Sequence, residues 1–140
     1  MKLTTKGRYA VMAMADLATN ENLKPISLTE ISVRQNISLS YLEQLFSKLK
    51  TNHLVKSVRG SHGGYALEKK AKDIKLSSII FAVDEEVKTL HCKKDSKKGC
   101  GGRSVKCNTH NLWYDLEKHI NSFFENKNLQ ELVSKQENIF

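Results

Sequence analysis

Cys92, Cys100, Cys107 and His110 stand in the spacing C-x7-C-x6-C-x2-H. Three soft thiolates and one imidazole make four ligands, a set that zinc and iron–sulfur clusters both accept. Cys107 and His110 are one helical turn apart, so both can face one ion from the start of a helix. Gly99, Gly101 and Gly102 allow the intervening backbone to curl round a centre with its amides aimed at sulfur. Structural zinc usually sits on short C-x2–4-C knuckles; the longer gaps here suit a bulkier cluster. Charge points the same way. An oxidised 2Fe–2S core with three thiolates and a neutral imidazole carries about −1, and one electron makes it about −2. Lys93, Lys94, Lys97, Lys98, Arg103 and Lys106 lie between the cysteines, against the single acid Asp95. Zinc, an iron–sulfur cluster and three free thiols all stay open on these residues alone. His91 adjoins Cys92, which makes shared ligation awkward, and His119 falls on the opposite helix face from His110. His53 and His62 lie among elements of a different kind, described next.

The segments before this loop must explain what such a centre would control. Ala10, Ala13, Met14, Leu17 and Ala18 recur at helical spacing over residues 5–19. Ser27-Leu28-Thr29-Glu30 is a capping box opening a short helix to about Gln35, with Leu28 and Ile31 inward. After the turn Asn36-Ile37-Ser38, a third helix over residues 39–51 buries Leu42, Leu45, Phe46 and Leu49. Its other face carries Ser40, Tyr41, Glu43, Gln44, Ser47, Lys48 and Lys50. Two short helices joined by a tight turn, the second with a polar, partly basic outer face, form a helix-turn-helix pattern.

Residues 54–59 alternate apolar and polar, Gly60-Ser61-His62-Gly63-Gly64 forms a turn, and residues 65–68 return as the partner strand. A hairpin straight after a recognition helix is a wing. Arg59 stands beside its tip, where a guanidinium can enter a narrow minor groove. Ser77 is expected to cap a helix over residues 78–83 with Ile79, Ile80 and Val83 in the core, ended by Asp84-Glu85-Glu86. Residues 109–125 form a long amphipathic helix whose Leu112, Trp113, Leu116, Ile120, Phe123 and Phe124 make a stripe suited to core or dimer packing. Asn128-Leu129-Gln130-Glu131 is a further cap, and residues 134–140 are expected to fray.

The 140 residues carry a formal charge of +8, concentrated in two stretches. Residues 48–75 hold eight basic and two acidic side chains, a net of +6, and residues 92–107 hold six basic and one acidic, a net of +5. A basic surface attracts phosphates and releases their counterions. The longest apolar run, near residues 78–83, is far below the roughly 18 residues of a membrane span. The odd cysteine count is unlike a secreted disulfide framework. With no apolar signal core, a cytoplasmic protein is expected, without a membrane partner. No nucleophile with a positioned base and no phosphate-cradling loop is present, so an enzyme is not expected. An electron carrier built on the same centre would need neither the capped helix pair nor the wing.

Several stretches resemble one family closely: residues 1–11 (MKLTTKGRYAV), residues 37–46 (ISLSYLEQLF), Val58-Arg59-Gly60, Gly63-Gly64-Tyr65, Ala82-Val83-Asp84-Glu85 and, most specifically, Cys107-Asn108-Thr109-His110-Asn111-Leu112-Trp113. They resemble the IscR family of bacterial iron–sulfur cluster assembly regulators, part of a wider winged-helix family of sensors for clusters, nitric oxide and cysteine status. The likeness runs from Met1 to about Gln136. It implies a mainly α fold with a small β-hairpin wing, a winged helix-turn-helix plus a long C-terminal dimerisation helix. It implies a DNA-binding domain over residues 1–83, a cluster-binding loop over 84–110, and a dimerisation helix with C-terminal tail over 111–140. It implies a homodimer with one 2Fe–2S cluster per subunit on Cys92, Cys100, Cys107 and His110, donated by the assembly machinery. It implies repression of cluster-assembly genes by the loaded form, with activation at some sites.

On double-stranded promoter DNA, Ser38, Ser40 and Tyr41 would hold phosphates, Glu43 and Gln44 would read bases, and Arg59 with Gly60 would meet the minor groove. Glu43 looks like the residue that discriminates between classes of operator. The chain departs from the family in three places. Its cysteine gaps are longer, its wing has Ser61-His62 where Pro-Gly is common, and Arg8 stands where nitric-oxide-sensing relatives can have an acidic ligand.

Overall fold

The computed structural model describes residues 5–20, 24–83 and 108–137. The chain runs through helices α1 (Thr5–Asn20), α2 (Leu28–Gln35) and α3 (Leu39–Thr51), strands β1 (Val55–Val58) and β2 (Gly64–Leu67), a short 3-10 turn at Ala71–Asp73, then helices α4 (Leu76–Ala82), α5 (His110–Glu125) and α6 (Leu129–Glu137). This is the expected mainly helical architecture with one antiparallel hairpin. Cys92, Cys100 and Cys107, and the acidic stop at residues 84–86, lie outside the described residues.

α1 is central. Ala10, Ala13, Met14 and Leu17 are buried, as their spacing requires, and pack with Ile31, Leu42, Phe46, Leu49, Ile79 and Leu129 in one core. At the start of α2 the Ser27 hydroxyl accepts from the Glu30 amide at 3.2 Å, while Glu30 Oε2 accepts from the Ser27 amide at 2.9 Å. That backbone hydrogen bond holds the Glu30 carboxyl below its usual pKa. α2 ends at Asn36 in the left-handed region (φ 55°), a conformation asparagine tolerates better than most residues. Ser32 Oγ donates to the Ile37 carbonyl at 2.6 Å and fastens the turn into α3.

One contact between α1 and α2 was not legible in the apolar pattern. Asp16 is buried on α1 and receives Arg34 Nε at 2.9 Å, Arg34 Nη2 at 2.7 Å and Gln35 Nε2 at 2.9 Å. Burial alone would raise the Asp16 pKa. The hydrogen bonds from Arg34 and Gln35, the Arg34 charge and Asn20 together outweigh it and hold the carboxyl below its ordinary value. The same pairing raises Arg34.

β1 and β2 pair with Val55 opposite Leu67 and Val58 opposite Gly64. Ile26 adds a one-residue third strand, exchanging two backbone hydrogen bonds with Tyr65 at 2.9 and 2.7 Å. The expected inside–outside alternation of residues 54–59 is corrected. Leu54 and Val55 are both buried, whereas Val58 is exposed. Backbone bonds from Leu54 to Leu49 and from Glu68 to Leu54 anchor the hairpin root beneath α3, and the strands then leave the body.

The start of α4 is also corrected. Its cap is Lys75, Ser77 lies inside the helix, and no side chain caps it. The Leu76 amide donates instead to the Lys127 carbonyl, and the Leu129 amide to Ile74, both at 2.9 Å. Two helix starts thus satisfy each other's backbone. Asn128 and Glu131 form the expected reciprocal cap of α6. The C-terminal segment is more than a frayed tail, because α6 runs to Glu137 and packs on α1 with Leu129 fully buried.

Candidate DNA-binding surface and ligand-bearing helix

α3 presents a clean division. Leu42, Leu45, Phe46 and Leu49 face the core, while Ser38, Ser40, Glu43 and Gln44 are exposed. Ser38 is the N-cap, and its hydroxyl oxygen accepts from the Tyr41 amide at 3.2 Å. The hydroxyl proton is still free to donate to an acceptor such as phosphate. Tyr41 is half-buried, its ring edge-on to Tyr9 of α1 with centroids 5.7 Å apart. Tyr9 therefore braces a residue of the recognition helix, a role that sequence spacing did not single out.

The wing is tied to the same helix. Lys50 Nζ, in the last turn of α3, donates to Ser57 Oγ on β1 at 2.9 Å, and Tyr65 on β2 packs edge-on against Phe46. Arg59 and Gly60 are exposed at the end of β1. Gly60 has φ 129°, which side-chain-bearing residues rarely adopt, and its carbonyl accepts from the Gly63 amide at 3.0 Å. A Cβ on Gly63 would stand 2.4 Å from the Val58 carbonyl oxygen. The glycines expected to shape the tip are thus sterically required there, while His62 is exposed and accommodated.

At the other end, His110 is half-buried in the first turn of α5. Trp113, one turn on, donates from Nε1 to Thr109 Oγ1 at 3.1 Å, fixing the residue that precedes the imidazole. The three cysteines expected to join His110 lie outside the described residues, and among the described residues no group of three metal-ligating side chains occurs. The apolar stripe of α5 divides. Phe124 turns onto the core, whereas Leu112 (58% exposed), Phe123 (56%), Trp113 and Leu116 stay uncovered. Glu117 is buried, an acid that the stripe did not foretell.

A polar helix face braced by a neighbouring helix and tied to a glycine-cornered hairpin is an arrangement for reading a DNA groove. Residues 3–135 match the Rrf2 family, described as iron-dependent transcriptional regulators. The HTH-type transcriptional regulator IscR of Klebsiella pneumoniae strain 342 is 53% identical over 137 residues, 98% of this chain and 82% of its own. The chain belongs to the Rrf2 family, in its IscR group. IscR of Escherichia coli K12 is likewise 53% identical, over 98% of this chain and 83% of its own. Two solved Rrf2-type structures superpose closely. T. potens IscR has a TM-score of 0.79 at 34% identity, covering 99% of this chain and 90% of its own. CymR, the global cysteine regulator of B. subtilis, has a TM-score of 0.80 at 30% identity, covering 96% and 98%. Like its Rrf2 relatives, the protein is a DNA-binding transcriptional regulator and not an enzyme. Among the described residues no helix is long and apolar enough to cross a membrane.

Proposed function

We propose that the protein senses iron–sulfur cluster supply through one 2Fe–2S cluster per subunit and, in that form, represses cluster-assembly genes as a cytoplasmic homodimer, with activation at some sites. The observation that carries this reading is the double use of α5. His110 opens the helix, and the uncovered Leu112, Trp113, Leu116 and Phe123 follow on it. A ligand and an apolar face on one rigid element let occupancy bear on how two copies pack, and so on the spacing of two recognition helices.

The donor chemistry fits the cofactor. Cys92, Cys100 and Cys107 with His110 offer three thiolates and one imidazole, and the loop's lysines and arginine favour an anionic centre. When bound, the cluster supplies a one-electron redox centre whose charge and presence depend on iron, sulfide and oxidants. The protein's own residues do the rest. Residues 1–83 bind DNA, residues 84–110 supply the ligands, and residues 111–140 carry the dimerisation helix and the C-terminal tail. Ser38, Ser40 and Tyr41 hold phosphates; Glu43 and Gln44 meet base edges; Arg59 and Gly60 approach the minor groove. Glu43, an acceptor beside the phosphates, penalises wrong operators.

The test is an anaerobic preparation, assayed for iron, sulfide and visible absorption, then titrated onto promoter DNA with and without its cofactor. The reading requires about two irons and two sulfides per subunit and a change of promoter preference on cluster loss. Stoichiometric zinc without iron or sulfide, or indifference of promoter choice to loading, would overturn it.

A further inference from the structure

The Tyr9–Tyr41 contact brings the N-terminal end of α1 beside the start of the recognition helix. Tyr41 is fixed at that start, because its amide is held by the Ser38 hydroxyl. Lys6 precedes Tyr9 by three positions and shares its helix face. Lys6 is exposed, has no acidic partner among the described residues, and its turn contains no acid. Arg8, next to Tyr9, is also exposed but points about 100° round the helix from it.

We infer that Lys6 is a phosphate-contacting residue of the operator complex, placed by the Tyr9–Tyr41 contact beside the strand that Ser38, Ser40 and Tyr41 engage. The assignment rests on the proposed docking of α3 and adds a point of attachment outside the helix-turn-helix and wing. An ammonium on a flexible stem suits a phosphate oxygen rather than a base edge, so the contact adds affinity and register without sequence preference. Arg8 carries the same charge in the same first turn of α1, but about 100° round the helix from Tyr9.

The experiment compares wild-type protein with Lys6→Gln, Lys6→Arg and Arg8→Gln. The probes are a duplex that the wild type selects from a random pool and a scrambled duplex of equal length, titrated over a range of salt. For Lys6→Gln the plot of log affinity against log salt should flatten by about 0.9 for each protomer on the DNA. Its loss of affinity should be similar on both duplexes, its thermal midpoint should stay that of the wild type, and Lys6→Arg should restore the slope. Arg8→Gln should keep the wild-type slope. An unchanged slope for Lys6→Gln, or equal flattening by Arg8→Gln, overturns the placement of Lys6. Failure of the wild type to select any duplex would instead count against the proposed docking of α3.

Discussion

Arg34→Ala tests the clamp between α1 and α2, the first helix of the helix-turn-helix. The Asp16 side chain is 2% exposed and Arg34 38%. The substitution deletes two charge-assisted hydrogen bonds and leaves the carboxylate with Gln35 at 2.9 Å and a weak Asn20 contact at 3.5 Å. Removing one partner of a fully buried pair costs about 3–5 kcal/mol. Arg34 is more than a third exposed, so water can enter the vacated space, and the expected loss is about 2–3 kcal/mol at neutral pH. The loss should depend on pH. Asp16 has a folded pKa below its unfolded value, so its stabilisation is complete above the unfolded value near 4 and disappears as pH falls through the folded one. In Arg34→Ala, burial is opposed only by the amides, and that stabilisation is already gone. The gap between variant and wild type should therefore be widest near neutrality and narrow below about pH 4. Urea unfolding across pH, completed by Asp16→Ala and the double variant, measures both the gap and the coupling. A coupling under about 0.3 kcal/mol, or a gap equally wide at pH 3 and pH 7, would refute the reasoning.

Three other outcomes are expected. Gly64→Ala places a Cβ 2.4 Å from the Ile26 carbonyl oxygen and 2.8 Å from the Ser27 amide, so it should destabilise by about 1–3 kcal/mol, read as a lower Tm. Ser27→Ala removes half of the reciprocal cap of α2 and should cost about 1 kcal/mol in chemical denaturation. Arg59→Ala should weaken operator binding by about 1–3 kcal/mol at fixed salt without lowering Tm, because the side chain is exposed; an unchanged gel-shift affinity removes its groove role.

What was legible in the sequence was whatever repeats locally. The spacing of Ala10, Ala13, Met14 and Leu17 and that of Leu42, Leu45, Phe46 and Leu49 marks two buried faces. Ser27 with Glu30, and Asn128 with Glu131, mark helix starts through side-chain chemistry within four residues. The fold class followed from these and from the glycines of the wing. What stayed hidden depends on partners far along the chain. Asp16 reads as an ordinary polar residue of α1 until Arg34 and Gln35 arrive from α2. α4 begins at Leu76 rather than after Ser77 because its first amide finds Lys127, some fifty residues on. Val58 breaks the strand alternation because the hairpin leaves the body. The bracing of Tyr41 by Tyr9 is of the same non-local kind. For the cysteine segment, the sequence supplies residue types and spacing, and of the expected ligands His110 alone lies among the described residues.

The paired backbone bonds between Ile74–Leu76 and Lys127–Leu129 bring the two ends of the intervening chain together at one place beside α1. Cleavage of one peptide bond within that intervening chain should leave two fragments still associated, because α6 keeps its grip on α1 through Leu129. Closure entropy varies only logarithmically with length, so a few residues inserted or deleted between α4 and α5 change the closure cost by about 0.1 kcal/mol or less. A fold with this staple can change the length of the chain between α4 and α5 while the body that presents the reading head is left alone.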